Sequence, residues 1–235
     1  MSVSFLIYFL HINTMAEIHV AIAGFNSKLA GLITAHLLQH PNIHIHGLCR
    51  DAAKVSETTR DHPRVTLAAF DAFSVSSVRV GVAGCHTAIC CYGPAGDIML
   101  QGQKILIDAC IAEGVARYIA GDFTWDFRGI PPGLVPLKEF TKEVAAYLEE
   151  KKGQIKAVHL LTGALFEAVL TLPGFLWYWD EEKKEGSVKS WGAGDEVWEF
   201  SSYDDAARWT VEIVLDEKVE GYIACELSCL LPFLG

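Results

Sequence analysis

Lys138 and Lys142 stand one helical turn apart in the run Pro136-Leu137-Lys138-Glu139-Phe140-Thr141-Lys142. If Pro136 opens a helix, Lys138 lies in its first turn, where the positive end of the helix dipole and the second ammonium both disfavour a charged amine. An amine titrating nearer neutrality can exchange protons with a bound substrate. Glu139 and Glu143 are placed to neutralise the pair, so an ordinary solvated charge cluster fits the same residues. A second chemistry, anion binding, is written in Ile18 to Gly31, IHVAIAGFNSKLAG. An apolar run meets Gly24, and a helical pattern starts at Lys28. Backbone N–H groups around Asn26, Ser27, Lys28 and Leu29 would then face a diphosphate. Ser27 and Ala30 stand at the second and third small positions of G-x-x-G-x-x-G, and a strand-to-helix turn without ligand reads the same way. Arg50, with Lys54 a turn later, follows the next apolar run, where a dinucleotide fold meets the adenosine ribose. Basic residues there favour a 2′-phosphate and hence NADP(H), while Asp51 keeps a plain solvated cluster open. His44 and His46 share one strand face, but no Cys or carboxylate cluster accompanies them at ligand spacing, so no metal is expected.

These groups need one sheet edge on which to converge. Apolar runs at Ile18–Ala23, Ile43–Leu48, Val65–Ala69, Thr87–Tyr92, Arg117–Ala120 and Ile155–Leu161 alternate with helical patterns. Such alternation gives an α/β fold, a parallel sheet with right-handed crossovers flanked by helices. Tyr92, Gly93 and Pro94 then end the fourth strand at the carboxyl edge, where open α/β sheets bind ligands. The long loop from Gly121 to Gly133 reads as a substrate loop at the same edge. In it Trp125 and Phe127 either wall an apolar ligand or cover the core. Residues 175–179 are aromatic enough for either role too. Strands at Val188–Trp191, Glu196–Phe200 and Tyr222–Cys225, with a helix at Asp204–Leu215, are expected to form a small α+β lobe. The expected units are an N-terminal extension, 1–14, a nucleotide-binding domain, 15–165, and the lobe, 166–235.

Composition narrows the partners. The chain has 235 residues, 51% of them hydrophobic, enough for one large core. A formal charge of −10 argues against a nucleic-acid groove or an anionic membrane surface, both of which call for clustered Lys and Arg. Phe5 to Leu10 lacks the basic flank and cleavage site of an export signal and is too short to span a bilayer. Seven cysteines, an odd number without paired C-x-x-C spacing, fit reduced thiols in a cytoplasm. A small-molecule ligand is the expected partner, and a homodimer is compatible with the composition.

Five stretches taken in order resemble the NmrA-like and isoflavone-reductase-like proteins, an atypical branch of the short-chain dehydrogenases. They are AIAGFNSKLAG, LCRDAAK, QGQKILIDACIAEGVARYIAGDF, PLKEFTKEVAAYLEE and AVHLLTGALFEAVL, with SSYDDAARWTVEIVLDE as a weaker sixth. The resemblance implies a Rossmann-type NADP(H)-binding domain with a small C-terminal substrate lobe. It makes Lys138 the lysine beside nicotinamide and substrate, and places the cofactor on Gly24, Asn26, Ser27, Lys28, Leu29, Arg50, Lys54, Tyr92, Gly93, Pro94 and Lys138. The implied substrate pocket draws on Asp122, Phe123, Trp125 and Phe166, and the implied reaction is reduction of a small aromatic or conjugated molecule. NmrA-like regulators that sense the dinucleotide without turnover, and non-redox isomerases or cyclases on the same fold, are the alternatives. Tyr147 and Lys151 spell the Y-x-x-x-K of ordinary short-chain dehydrogenases. The helical pattern puts Tyr147 on the buried face near the helix's carboxyl end, so that pair is set aside. Ser27 and Gly121 depart from the family pattern, Gly121 standing where many reductases have serine. The chain also ends soon after 221–224, which leaves the expected lobe short.

Overall fold

The computed structural model describes residues 16–93, 96–171, 177–188 and 198–225. Pro94, Cys229, residues 189–197 and the N-terminal extension lie outside them. The chain alternates β1 (Ile18–Ala23), α1 (Lys28–Leu37), β2 (Ile43–Cys49), α2 (Glu57–Arg60), β3 (Val65–Ala69), α3 (Val75–Val82) and β4 (Thr87–Cys90). There follow a π-helical turn (Ile98–Gly102), α4 (Gln103–Ala112), β5 (Arg117–Ile119), α5 (Pro136–Glu150) and β6 (Lys156–Leu161). After two short elements, β7 (Ala164–Leu165) and α6 (Phe166–Thr171), come the hairpin strands β8 (Trp177–Asp180) and β9 (Glu185–Val188). The described residues end with β10 (Phe200–Ser201), α7 (Tyr203–Leu215) and β11 (Gly221–Ala224).

Among the described residues seven strands form one sheet in the order β11-β6-β5-β4-β1-β2-β3, every neighbouring pair parallel. Alternation along the strands splits the core into two layers. Val20 and Ile22 of β1 pack with Ile33 of α1 and Val211 of α7 on one face. Ala21 and Ala23 pack with Val78, Leu106 and Val144 of α3, α4 and α5 on the other. The strand order reverses between β1 and β4, and that switch point opens a crevice at the carboxyl edge.

Residues 203–225 do not belong to the lobe in which the sequence pattern placed them. β11 extends the main sheet beside β6, with Tyr222 opposite His159, and α7 packs on α1, where His36 Nε2 meets Asp204 Oδ1 at 2.7 Å. Buried Arg117 of β5 donates to the Ile213 carbonyl and so ties α7 to the sheet. The reason is hydrogen bonding: a four-residue strand at a sheet edge gains its ladder only from β6, a partner far away in sequence. Among the described residues the separate C-terminal structure comes down to the β7–β10 pair, α6 and the β8–β9 hairpin. No helix among them is long and apolar enough to cross a membrane.

Candidate functional site

Gly24 ends β1 with φ +77°, and a Cβ built there would lie 2.7 Å from the Cys91 carbonyl carbon and 3.1 Å from Tyr92 N. Only glycine fits a backbone of that sign pressed so closely on the end of β4. Ser27 is the N-cap of α1, its hydroxyl accepting from Ala30 N at 3.2 Å. The cap satisfies one first-turn donor and leaves the N–H groups of Lys28 and Leu29, which have no intrahelical partner, at the crevice. Phe25 and the Leu29 side chain are buried beneath this loop, so Leu29 offers its backbone rather than its side chain. The Lys28 ammonium leans towards the C-terminal elements, 4.7 Å from the Tyr203 ring and 4.0 Å from Glu167 Oε1.

Asn26 Nδ2 donates to the Asp51 carbonyl at 3.0 Å, which fixes the first loop against the segment after β2. There the Asp51 carboxylate accepts from Ala53 N at 3.0 Å and is spent on its own turn. The side chains of Arg50 and Lys54 are exposed, without hydrogen-bonding or ionic partners among the described residues. A cradle of backbone N–H groups and two uncommitted cations fit a dinucleotide carrying a 2′-phosphate. Tyr92 corrects its sequence assignment. Its backbone borders Gly24, but its ring packs in the α3–α4 layer near Phe70, 6.4 Å between centroids, and its hydroxyl is buried there without a partner. Gly93 is exposed at the lip of the crevice.

Lys138 sits in the first turn of α5, its ammonium donating to Thr124 Oγ1 and lying 4.6 Å from the Trp125 ring centroid. Burial pushes its pKa down to about 8, against the opposing charge of Asp122. The direction matches the sequence reading but the cause differs. Lys142 points away, donating to the Ile130 carbonyl at 2.7 Å and to Glu139 Oε1 at 3.0 Å; loss of water around Lys138 is what lowers it. Asp122 is buried, with Oδ2 2.5 Å from His159 Nδ1.

The loop after β5 is pinned rather than free. Thr124 bridges to Leu161 in parallel, and Thr162 N donates to the Thr124 carbonyl at 2.9 Å. Phe127 covers the core with Ala145 and Leu161. Phe123 departs from the pocket assignment: its side chain is buried in the layer of Phe25 and Cys91, and its φ of +39° puts a left-handed turn between Asp122, whose side chain is buried against His159, and Thr124, which meets Lys138. Trp125 remains at the crevice. With Trp198 it packs on Phe200, against which Phe166 lies edge-on at 5.8 Å. Trp125, Phe166 and Lys138 are thus brought to one aromatic-walled region, to which Phe200 and Trp198, unassigned from the sequence, also belong.

Tyr147 is half-buried rather than buried. Its hydroxyl donates to Asp108 at 2.7 Å, and the Lys151 ammonium lies 4.8 Å over its ring. This pair stands at the carboxyl end of α5, which leads to the amino edge of the sheet, the end opposite the crevice. His44 and His46 meet His19 of β1: His19 stacks on His44 at 5.0 Å and its Nδ1 lies 3.2 Å from His46 Nε2. Among the described residues no group of three or more His, Cys, Asp or Glu is arranged to hold a metal ion. His159, missed in the sequence reading, carried one signal there, a lone histidine inside the apolar strand KAVHLL.

The fold has close counterparts among solved structures. NmrA, a negative transcriptional regulator, superposes with a TM-score of 0.73 at 19% identity, over 92% of this chain and 69% of that one. AtPrR2, solved with NADP+ and (+)pinoresinol, gives 0.72 at 18%, over 92% and 72%. The NADPH-dependent quinone oxidoreductase QOR2 of Escherichia coli, complexed with NADPH, gives 0.70 at 19%, over 89% and 69%. Identities this low speak for the fold alone, and no curated protein sequence matches the chain. The model of a family described as NAD(P)H-binding does match, over residues 24–216, a span that runs from the Gly24 cradle through Lys138 to the end of α7. The chain therefore belongs to the NAD(P)H-binding family, on a Rossmann-type fold of the NmrA and isoflavone reductase kind.

Proposed function

We propose that the protein is an NADP(H)-dependent reductase of a small aromatic or conjugated molecule. The observation that carries the reading is Lys138, an amine with its pKa held at about 8 by burial, at the carboxyl edge of the sheet beside Trp125. The Lys28 and Leu29 N–H groups would hold the diphosphate, and Arg50 with Lys54 the 2′-phosphate. When bound there, the dinucleotide supplies hydride chemistry. Lys138 then gives a proton to the oxygen or carbon of the reduced product, while Trp125 and Phe166 flank a planar substrate and exclude water. The AtPrR2 and QOR2 structures, with their dinucleotides, support this reading by shared fold.

Calorimetric titration with NADPH and NADH, followed by NADPH oxidation against a panel of quinones and conjugated carbonyls, tests it. A 2′-phosphate held by Arg50 should give at least a tenfold preference for NADPH, lost in Arg50→Ala. Lys138→Ala should lower kcat about 10²–10⁴-fold with cofactor affinity nearly unchanged. Equal affinity for both cofactors would remove the Arg50 assignment. A second reading, a dinucleotide-sensing protein without turnover, is favoured by Gly121, which brings no hydroxyl to the crevice and whose N–H is held by Gln103 at 3.1 Å. Tight NADPH binding with no oxidation of any substrate in the panel would select it.

A further inference from the structure

The Lys138 ammonium is held by neutral groups. The carboxylate next to it in sequence, Glu139, pairs with Lys142 at 3.0 Å, and no ion pair among the described residues includes Lys138. Instead its nitrogen donates to Thr124 Oγ1 and lies 4.6 Å from the Trp125 ring centroid. An ammonium carries three N–H donors, so this arrangement leaves N–H groups that no described residue claims. A carboxylate in place of the hydroxyl would bind the charge and hold the proton with it. A hydroxyl fixes where the nitrogen sits and still lets a proton leave.

Both ends of this contact are rigid. Thr124 is 5% exposed, and its backbone is stitched to the end of β6 by the bridge to Leu161 and the 2.9 Å bond from Thr162 N to its carbonyl. The Thr162 carbonyl in turn accepts from Ser201 Oγ at 2.5 Å, which ties the same strand end to β10. The branched Cβ of threonine restricts χ1 and so limits where its oxygen can stand. On the other side, Lys138 N donates to the Val135 carbonyl at 2.8 Å and fixes the first turn of α5. Between the two lies only the flexible four-carbon stem of the lysine, and the hydroxyl selects one of its many rotamers.

We infer that Thr124 is the positioning residue of the site: its hydroxyl takes one N–H of Lys138 and thereby directs the unclaimed ones into the crevice. The inference rests on the proposed proton-handling role of Lys138. Thr124 acts through the lysine and touches neither cofactor nor substrate. The same assignment gives the pinned loop after β5 a purpose. Were that loop free, its hydroxyl would move with it and the ammonium would sample all its rotamers, a misplacement of the order that costs about 10²-fold in rate.

The first arm of the test needs no substrate. The full chain is isotope-labelled in its lysine side chains, and the ammonium N–H signals are followed by NMR in mildly acidic solution. There an ammonium held by an acceptor exchanges its hydrogens more slowly than a hydrated one. The Lys138 signal is assigned by its loss in Lys138→Met. In wild type it should exchange at least about threefold more slowly than that of Lys54, which is exposed and without a partner among the described residues. Thr124→Val, close in shape but without an acceptor, should remove the difference, and Thr124→Ser should keep it. The second arm follows NADPH oxidation against the panel of quinones and conjugated carbonyls. Thr124→Val should lower kcat about tenfold or more with the KM for NADPH unchanged, and Thr124→Ser should retain most of the activity. Lys138 exchange as fast as that of Lys54 in wild type, or unmoved by Thr124→Val, overturns the inference. So does a kcat lost equally in the valine and serine variants, the result expected of a threonine that only supports the loop. Should Thr124→Val fail to fold, as judged by circular dichroism, Thr124→Ala takes its place in both arms. Failure of the reductase reading shows instead as absence of NADPH turnover in wild type, and the exchange arm then decides the role of Thr124 by itself.

Discussion

On the proposed reading Lys138 owes its role as proton donor to a loss of water, and a pH profile should record it. As proton donor it must be an ammonium, and the fraction protonated falls as pH rises through about 8. The kcat for reduction should therefore be level below that pH and fall about tenfold per unit above it. A profile flat to pH 10 would show that Lys138 does not supply the proton. Gly121 poses the complementary case of a side chain excluded. A Cβ there would lie 3.0 Å from Cys90 Sγ and 3.2 Å from the Cys90 carbonyl, so a serine at this position would be accommodated only if the cysteine gave way by a few tenths of an ångström. Gly121→Ser should destabilise the protein by about 1–3 kcal/mol in denaturant unfolding, and Cys90→Ala should recover part of that. Full additivity of the two changes would show that the sulfur is not what closes the site.

At the level of elements, strands one to six were legible in the sequence because each is an apolar-rich run bounded by turn residues, and the Gly24 turn because its steric demand is local. The place of β11 was not. Gly221-Tyr222-Ile223-Ala224 alternates in burial like any half-exposed strand, and only its pairing with β6 tells main sheet from lobe. The same limit hid the Asp122–His159 contact, which spans 37 residues. Lys138 was singled out by its resemblance to the family lysine and its first-turn position, but its desolvation depends on Thr124 and Trp125, which the chain brings in from a loop. The two C-terminal strand systems should therefore differ in hydrogen exchange. β11 amides should be protected comparably to β6. The β8–β9 hairpin, an isolated two-stranded sheet with Tyr178 and Trp179 54% and 44% exposed, should exchange orders of magnitude faster. Equal protection would mean that the hairpin is covered.

For the whole molecule, binding at the switch point ties cofactor to stability. At a free concentration of about 100 Kd, NADPH should add ~2.7 kcal/mol and raise Tm by about 5–10 °C, with NADH giving less at equal concentration and Arg50→Ala removing the difference. Identical shifts for both dinucleotides would remove the 2′-phosphate assignment. The pairing of α1 with α7 bears on how the molecule is made. The apolar residues that α1 turns to its layer, Ile33 and Leu37 among them, are packed in a cluster that includes Ala206, Ala207 and Val214. The His36–Asp204 contact joins positions 168 residues apart. During synthesis the first helix therefore leaves the ribosome well before part of its cover, which is translated some 168 residues later. At ~5–20 residues per second the nascent chain carries that exposed stripe for about ten seconds or more, the interval in which a chaperone would find it.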